Sequence, residues 1–178
     1  NMIAKKIIFF DGDGTLWYPK KTKYQKKPHW IYALGGTLDF YCGLLIMTPT
    51  ALDTLKKLKE RGIITVILST HPHLPKEANA IVNHKVSHFK LNEFFNEIHA
   101  TREHHESKGE FIIRTLKKHN IPKNRALMVG DSYYWDYKPA RNVGVDALLI
   151  ASDYQKNDKQ GKRIKKTIKN LSEVLKYI

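Results

Sequence analysis

The stretch Lys6-Ile7-Ile8-Phe9-Phe10-Asp11-Gly12-Asp13-Gly14-Thr15-Leu16-Trp17 decides the fold. Four consecutive large apolar residues, closed by acids and glycines, read as a strand buried on both faces, as the middle of a parallel sheet requires. The acids then stand at the strand's carboxyl end, where open α/β sheets bind ligands, in a loop that glycine lets fold tightly. Two carboxylates that close favour a divalent cation. The bland alternative is an acidic turn without chemistry, a common use of Asp-Gly pairs. A calcium loop is excluded: with Asp11 in first position, the sixth is Leu16 rather than glycine and the twelfth Thr22 rather than glutamate.

Outward from this strand, residues 18–47 form a connection of about 30 residues, against a usual ~4–6. Its first half has no acid and carries Lys20, Lys21, Lys23, Lys26 and Lys27, with Tyr18, Tyr24, His29 and Trp30 interleaved. Its second half, around Gly35-Gly36, predicts a hairpin. Thr48-Pro49 supplies an N-cap and a first-turn proline for a helix carrying Leu52, Leu55 and Leu58, with Gly62 as its stop. Ile63 to Leu68 is a second buried strand, running into Ser69-Thr70-His71-Pro72, so strand, helix and strand demand a right-handed crossover and parallel pairing. A helix is expected from about Pro75 to His84, a packing segment at Leu91, Phe94 and Phe95, and a short strand near Ile98. Ser107-Lys108-Gly109-Glu110 fits a capping box opening the next helix. Ala126 to Val129 is a strand closed by Gly130-Asp131-Ser132. A helix then runs to Gly144 and a strand from Val145 to Ile150. In 162–178, Ile164, Ile168, Leu171, Leu175 and Ile178 recur at helical spacing and predict a C-terminal helix. One α/β domain over 1–178 is expected, with a central parallel sheet and helices on both faces.

Composition is ordinary for a globular protein, with 42% hydrophobic and 27% charged residues. No apolar run approaches the roughly 18 residues that span a bilayer, and no small-residue cleavage site follows Lys5-Lys6, so neither a membrane span nor a secretory signal is expected. The lone cysteine, Cys42, lies in an apolar stretch, reads as a core residue, and suits a reducing cytoplasm. The net charge of +14 implies attraction for anions without choosing among phosphorylated metabolites, nucleic acid and acidic surfaces. Histidines such as His71 and His73, or His99, His104 and His105, show no zinc spacing, although His71 follows Ser69 closely enough to touch a substrate.

DGDGTLW directly after an apolar strand resembles the nucleophile motif of the haloacid dehalogenase superfamily phosphatases, and Trp17 resembles their magnesium-dependent phosphatase branch. Three further features follow in that superfamily's order: Ser69 at a strand end, Lys108 at a helix start, and Asp131 with Asp136 after a strand. A lysine at a helix amino end opposes the helix dipole, a misplacement that favours a functional reading.

The resemblance implies a Rossmann-like fold with a flap at 18–47 and, because 70–107 is short, no large cap domain. It implies Asp11 as a nucleophile forming an aspartyl-phosphate and Asp13 as the general acid and base. Ser69 and Lys108 would hold the phosphoryl oxygens, with Thr70 competing for the first role and Lys90 in reserve for the second. Mg²⁺ is the implied cofactor, held by Asp11, the backbone carbonyl of Asp13, Asp131 and, through a water, Asp136. Attack by a carboxylate on a phosphomonoester dianion needs such cations to offset repulsion. The expected activity is hydrolysis of a small phosphorylated metabolite or a phosphotyrosine-like substrate. The alternatives are a 3′- or 5′-phosphatase acting on nucleic-acid ends through the basic surface, and a non-catalytic phosphate- or nucleic-acid-binding protein.

Overall fold

The computed structural model describes residues 3–71, 73–102 and 106–178. In chain order the strands are β1 (Ile7–Phe10), β2 (Trp17–Pro19), β3 (Leu45–Met47), β4 (Ile64–His71), β5 (Glu97–Arg102), β6 (Ala126–Gly130), β7 (Asp146–Ile150) and β8 (Thr167–Ile168). The α-helices are α1 (Leu38–Leu44), α2 (Ala51–Glu60), α3 (Pro75–His88), α4 (Lys108–His119), α5 (Lys138–Asn142) and α6 (Asp153–Lys156).

The main sheet has the order β5-β4-β1-β6-β7-β8, with every pair parallel. Strand alternation sends Ile7 and Phe9 of β1 to one face, against Ile112 and Leu116 of α4 and Ala140 of α5. Ile8 and Phe10 face the other way, towards Leu55 and Leu58 of α2 and Val82 and Val86 of α3. All four are fully buried, each such side chain contributing about 1.5–3 kcal/mol by burial. From β1 the chain steps outward to β4 and β5, returns through α4 to β6 on the other flank of β1, and then steps outward again. That reversal opens a crevice between the carboxyl ends of β1 and β6, the switch point at which such sheets place ligands.

Three segments differ from the sequence expectations. The second half of 18–47 is not a hairpin. A 3-10 helix over Pro28–Leu34 ends at Gly35, whose φ is 67°, and α1 follows with Thr37 Oγ1 accepting from Phe40 N at 3.2 Å. The antiparallel ribbon is made instead by the two ends of the insertion, β2 and β3, with Trp17 opposite Met47 and Pro19 opposite Leu45. Helix α2 starts at Ala51 rather than beside Thr48, because the Thr48 hydroxyl donates to Thr15 O at 2.7 Å and so serves the loop after β1 instead of a helix amide.

Residues 162–178 do not form the expected continuous α-helix. Lys166 O and Thr167–Ile168 complete the otherwise open edge of β7, and a 3-10 helix over Leu171–Tyr177 buries Leu171 and Val174. Unpaired backbone at the sheet edge outcompetes a pattern that fits helical spacing. Two elements run longer than expected: β4 extends to His71 and α3 to His88.

Candidate active site

Asp11 directly follows β1, its amide donating to Val129 O of β6 at 3.0 Å. The loop then tightens: the amides of Thr15 and Leu16 donate to Gly12 O at 3.0 and 2.9 Å, and Gly14 N donates to Trp17 O at 2.8 Å. Gly14 has a φ of 84°, and a Cβ on it would overlap the carboxylate of Asp131, so the closeness of the two loops depends on that glycine. Asp131 follows β6, and a π turn over Tyr133–Tyr137 carries Asp136 back beneath it. Ser132 N donates to Asp136 Oδ2 at 3.0 Å, and Tyr154 of α6 donates its hydroxyl to Asp131 Oδ2 at 2.7 Å. The expected capping box is present, Ser107 and Glu110 each satisfying the other's amide. It sets Lys108 in the first turn of α4, where Nζ donates to Asp11 Oδ1 at 2.7 Å and Asp136 Oδ1 at 2.6 Å.

Asp11, Asp131 and Asp136 are buried and offer carboxylate oxygens within 4.8 Å of one another. Burial, with the charges of Asp11 and Asp136, pushes the Asp131 carboxyl well above its usual range. Burial and the charge of Asp11 raise Asp136 too, against the opposing pull of Lys108. Burial alone would lower Lys108, but Asp11 and Asp136 outweigh it and hold the ammonium above its ordinary range. Among the described residues, four buried carboxylates, counting Asp13, gather here with two buried ammonium groups, those of Lys85 and Lys108. An all-oxygen donor set with excess negative charge suits a hard divalent cation, so the residues fit a metal of the magnesium type.

The Asp13 side chain lies outside that trio, in a second cluster. Trp17 Nε1 donates to its Oδ1 at 2.6 Å, Tyr32 OH to its Oδ2 at 2.6 Å, and Lys85 Nζ to both oxygens at 2.9 and 3.2 Å. Burial alone would raise this carboxyl, but Lys85, with help from His29, His71 and Tyr32, holds it well below the usual carboxylate range. Ser69 is buried near the first loop, its Oγ lying 3.6 Å from where a Cβ on Gly12 would stand and 3.2 Å from His71 Nε2. Thr70 points elsewhere, its hydroxyl paired with Thr101 Oγ1 at 3.0 Å. Lys90 follows α3 in a left-handed turn with a φ of 57°. His104 and His105 lie outside the described residues.

The structure thus gathers Asp11, Lys108, Asp131 and Asp136, with Asp13 and Ser69 alongside. Sequence reasoning missed Lys85, Tyr32 and Tyr154. For Lys85 a signal existed: it lies seven residues after Ala78 and one before Val86, on the buried face of α3, just past the expected helix end.

A family model described as haloacid dehalogenase-like hydrolase matches residues 43–150, a stretch that includes Ser69, Lys108, Asp131 and Asp136. Glyceraldehyde 3-phosphate phosphatase from Pyrococcus furiosus is 26% identical over 135 residues, covering 72% of this chain and 52% of that protein. The chain spans about half the length of the curated relatives it matches, 42% and 52%. Among solved structures, a HAD phosphatase from Thermococcus onnurineus superposes with a TM-score of 0.68 at 18% identity, covering 96% of each chain. A haloacid dehalogenase-like family hydrolase from Streptococcus pneumoniae gives a TM-score of 0.68 at 18% identity, covering 97% of this chain and 98% of that one.

Proposed function

The chain belongs to the haloacid dehalogenase-like hydrolases, and from that premise we propose that it hydrolyses a phosphomonoester of a small metabolite through a phosphorylated Asp11. One observation carries the reading. The carboxylate at the end of the central strand has a buried ammonium 2.7 Å from one oxygen, and it shares its surroundings with two further acids able to hold a cation.

Asp11 attacks phosphorus while the ester oxygen departs, taking a proton from Asp13. Water then attacks the phosphoryl group and gives a proton back to Asp13, releasing inorganic phosphate and restoring the Asp11 carboxylate. Lys108 and the hydroxyl of Ser69 bind phosphoryl oxygens and orient them for in-line attack. Against the effect of burial, Lys85 and Tyr32 hold the Asp13 carboxylate ionised, so it is a weak base before substrate binds. The negative charge of a bound phosphoryl group raises its proton affinity for the earlier step. Asp11, Asp131, the backbone carbonyl of Asp13 and, through a water, Asp136 would hold Mg²⁺. When bound, the ion supplies the positive charge that lets an anionic nucleophile approach an anionic ester.

Residues 18–47 would act as a flap that selects the substrate, a role supported by Tyr32 reaching Asp13. A second reading, a phosphatase for nucleic-acid ends, draws support from the exposure of the flap lysines Lys20, Lys21, Lys23, Lys26 and Lys27. Phosphate release from p-nitrophenyl phosphate, from phosphorylated metabolites and from 3′- and 5′-phosphorylated oligonucleotides, with magnesium and with a chelator, tests both readings. Asp11→Asn should lower turnover by at least about a thousandfold. Turnover near wild type in that variant would refute the covalent mechanism.

A further inference from the structure

Lys85 is the residue of this site that neither its position in the chain nor the nucleophile motif explains. It sits in the last turn of α3, 2% exposed, on the face that carries Ala78, Val82 and Val86 into the core. Its ammonium meets the two oxygens of Asp13 and the hydroxyl of Tyr32, lying 4.9 Å from the centre of that ring. Burying such a pair is costly, and replacing both members of a buried ion pair by packed apolar side chains is often neutral or stabilising. Stability therefore does not account for a lysine here.

Position does. Asp11 and Asp13 lie two residues apart in one tight loop, yet among the described residues the Asp11 carboxylate groups with Asp131 and Asp136 while that of Asp13 is bound to Trp17, Tyr32 and Lys85. Each oxygen of Asp13 is engaged by two donors, from Trp17 and Lys85 on one side and Tyr32 and Lys85 on the other. Helix α3 secures the same loop a second time, since Phe89, directly after it, stacks on Trp17 with ring centres 5.6 Å apart and planes 15° from parallel.

We propose that Lys85, with Tyr32, is a positioning residue that draws the Asp13 carboxylate away from the metal-ligand trio and holds it where the leaving oxygen of the substrate lies. Tyr32 belongs to the flap and Lys85 to α3, so the aim of the proton-transfer group is set jointly by the catalytic scaffold and the substrate-selecting insertion. The inference rests on the reading of Asp13 as that group.

The experiment compares first-turnover rates and KM at saturating magnesium for two substrates. In p-nitrophenyl phosphate the leaving phenolate needs no proton, whereas in an alkyl phosphate the alkoxide must receive one. Lys85→Met should slow first-turnover alkyl release about 10- to 100-fold, as expected for impaired general acid catalysis, and leave first-turnover p-nitrophenol release within about twofold, while KM falls for both substrates because the water step, which also uses Asp13, slows. In the Asp13→Asn background Lys85→Met should add nothing further, because both changes disable one function. Tyr32→Phe, which removes only a hydroxyl, should show the same selectivity at smaller size and serves if Lys85→Met folds poorly. Equal losses on both substrates, or losses that multiply with those of Asp13→Asn, would overturn the assignment of Lys85 while leaving the role of Asp13 intact. Alkyl-phosphate turnover that survives in Asp13→Asn would overturn that role and the proposal with it.

Discussion

Gly130 has no space for even a methyl group, since a Cβ there would overlap the carboxylate of Asp136, which the π turn tucks directly beneath the end of β6. Gly130→Ala must displace that acid, and with it the partner of Lys108 and of Ser132 N. The variant should lose about 1–3 kcal/mol of stability by overpacking and bind magnesium more weakly, as denaturant unfolding and calorimetric titration would report. Wild-type values for both would contradict the described packing. Asp11, Lys108 and Asp131 were legible in the sequence because each stands where a strand ends or a helix begins, and such ends have recognisable residue signatures; Asp136 was legible by its spacing of five residues after Asp131. Tyr154 had no comparable signature. It reaches Asp131 only through the path of the chain after β7, which no local pattern encodes. Trp17 was visible as a letter of the first motif, but its bond to Asp13 was not.

Among the elements, β5 and α4 are tied together at the end of the sheet opposite the site. Glu97, at the start of β5, accepts from His99 at 2.6 Å, His119 at 2.6 Å and Lys118 at 2.9 Å. Burial would raise its carboxyl, but the hydrogen bonds from His99, Lys118 and His119 outweigh that and hold it at about 2. A carboxyl depressed in the folded state stabilises fully above its ordinary value of 4.5 and loses that contribution as pH falls towards about 2. Wild-type protein should therefore lose more stability between those two pH values than Glu97→Gln does, measured by denaturant midpoints. Parallel pH profiles for the two would show that the cluster contributes nothing.

The buried strands and the capped helix α4 were readable from runs of apolar residues and from Ser107 and Glu110, which are local signals. The C-terminal segment was not, because Ile164, Ile168 and Leu171 satisfy helical spacing as well as they satisfy a sheet edge followed by a 3-10 turn. What decides between them is the open flank of β7, which lies elsewhere in the chain. The flap misled for a related reason: Gly35 does break the chain, but between two helical segments, and the strands that pair lie outside the glycines.

Across the whole molecule the sheet order brings acids from β1 and β6 into one crevice, where a divalent ion would relieve their mutual repulsion. Ligand that binds only the folded chain adds about 2.7 kcal/mol when present at 100 times its Kd. For a chain of this size that corresponds to a rise in melting temperature of roughly 5–10 °C. Magnesium should thus raise the Tm over that seen with a chelator, and Asp131→Ala should remove most of the difference. A Tm indifferent to magnesium in the wild-type protein would count against the trio as a cation site. Net charge, by contrast, said only that anions are attracted, and no helix among the described residues is long and apolar enough to cross a membrane.

The short ribbon of β2 and β3, together with the bond from Thr48 to Thr15 O, makes the insertion leave and re-enter the scaffold through a narrow neck. Evolution has in that neck a socket: residues beyond it are replaceable as a cassette, and new substrate tastes can be tried without rebuilding the machinery below. One debt travels with every replacement, because whatever loop is plugged in inherits the duty that Tyr32 now performs.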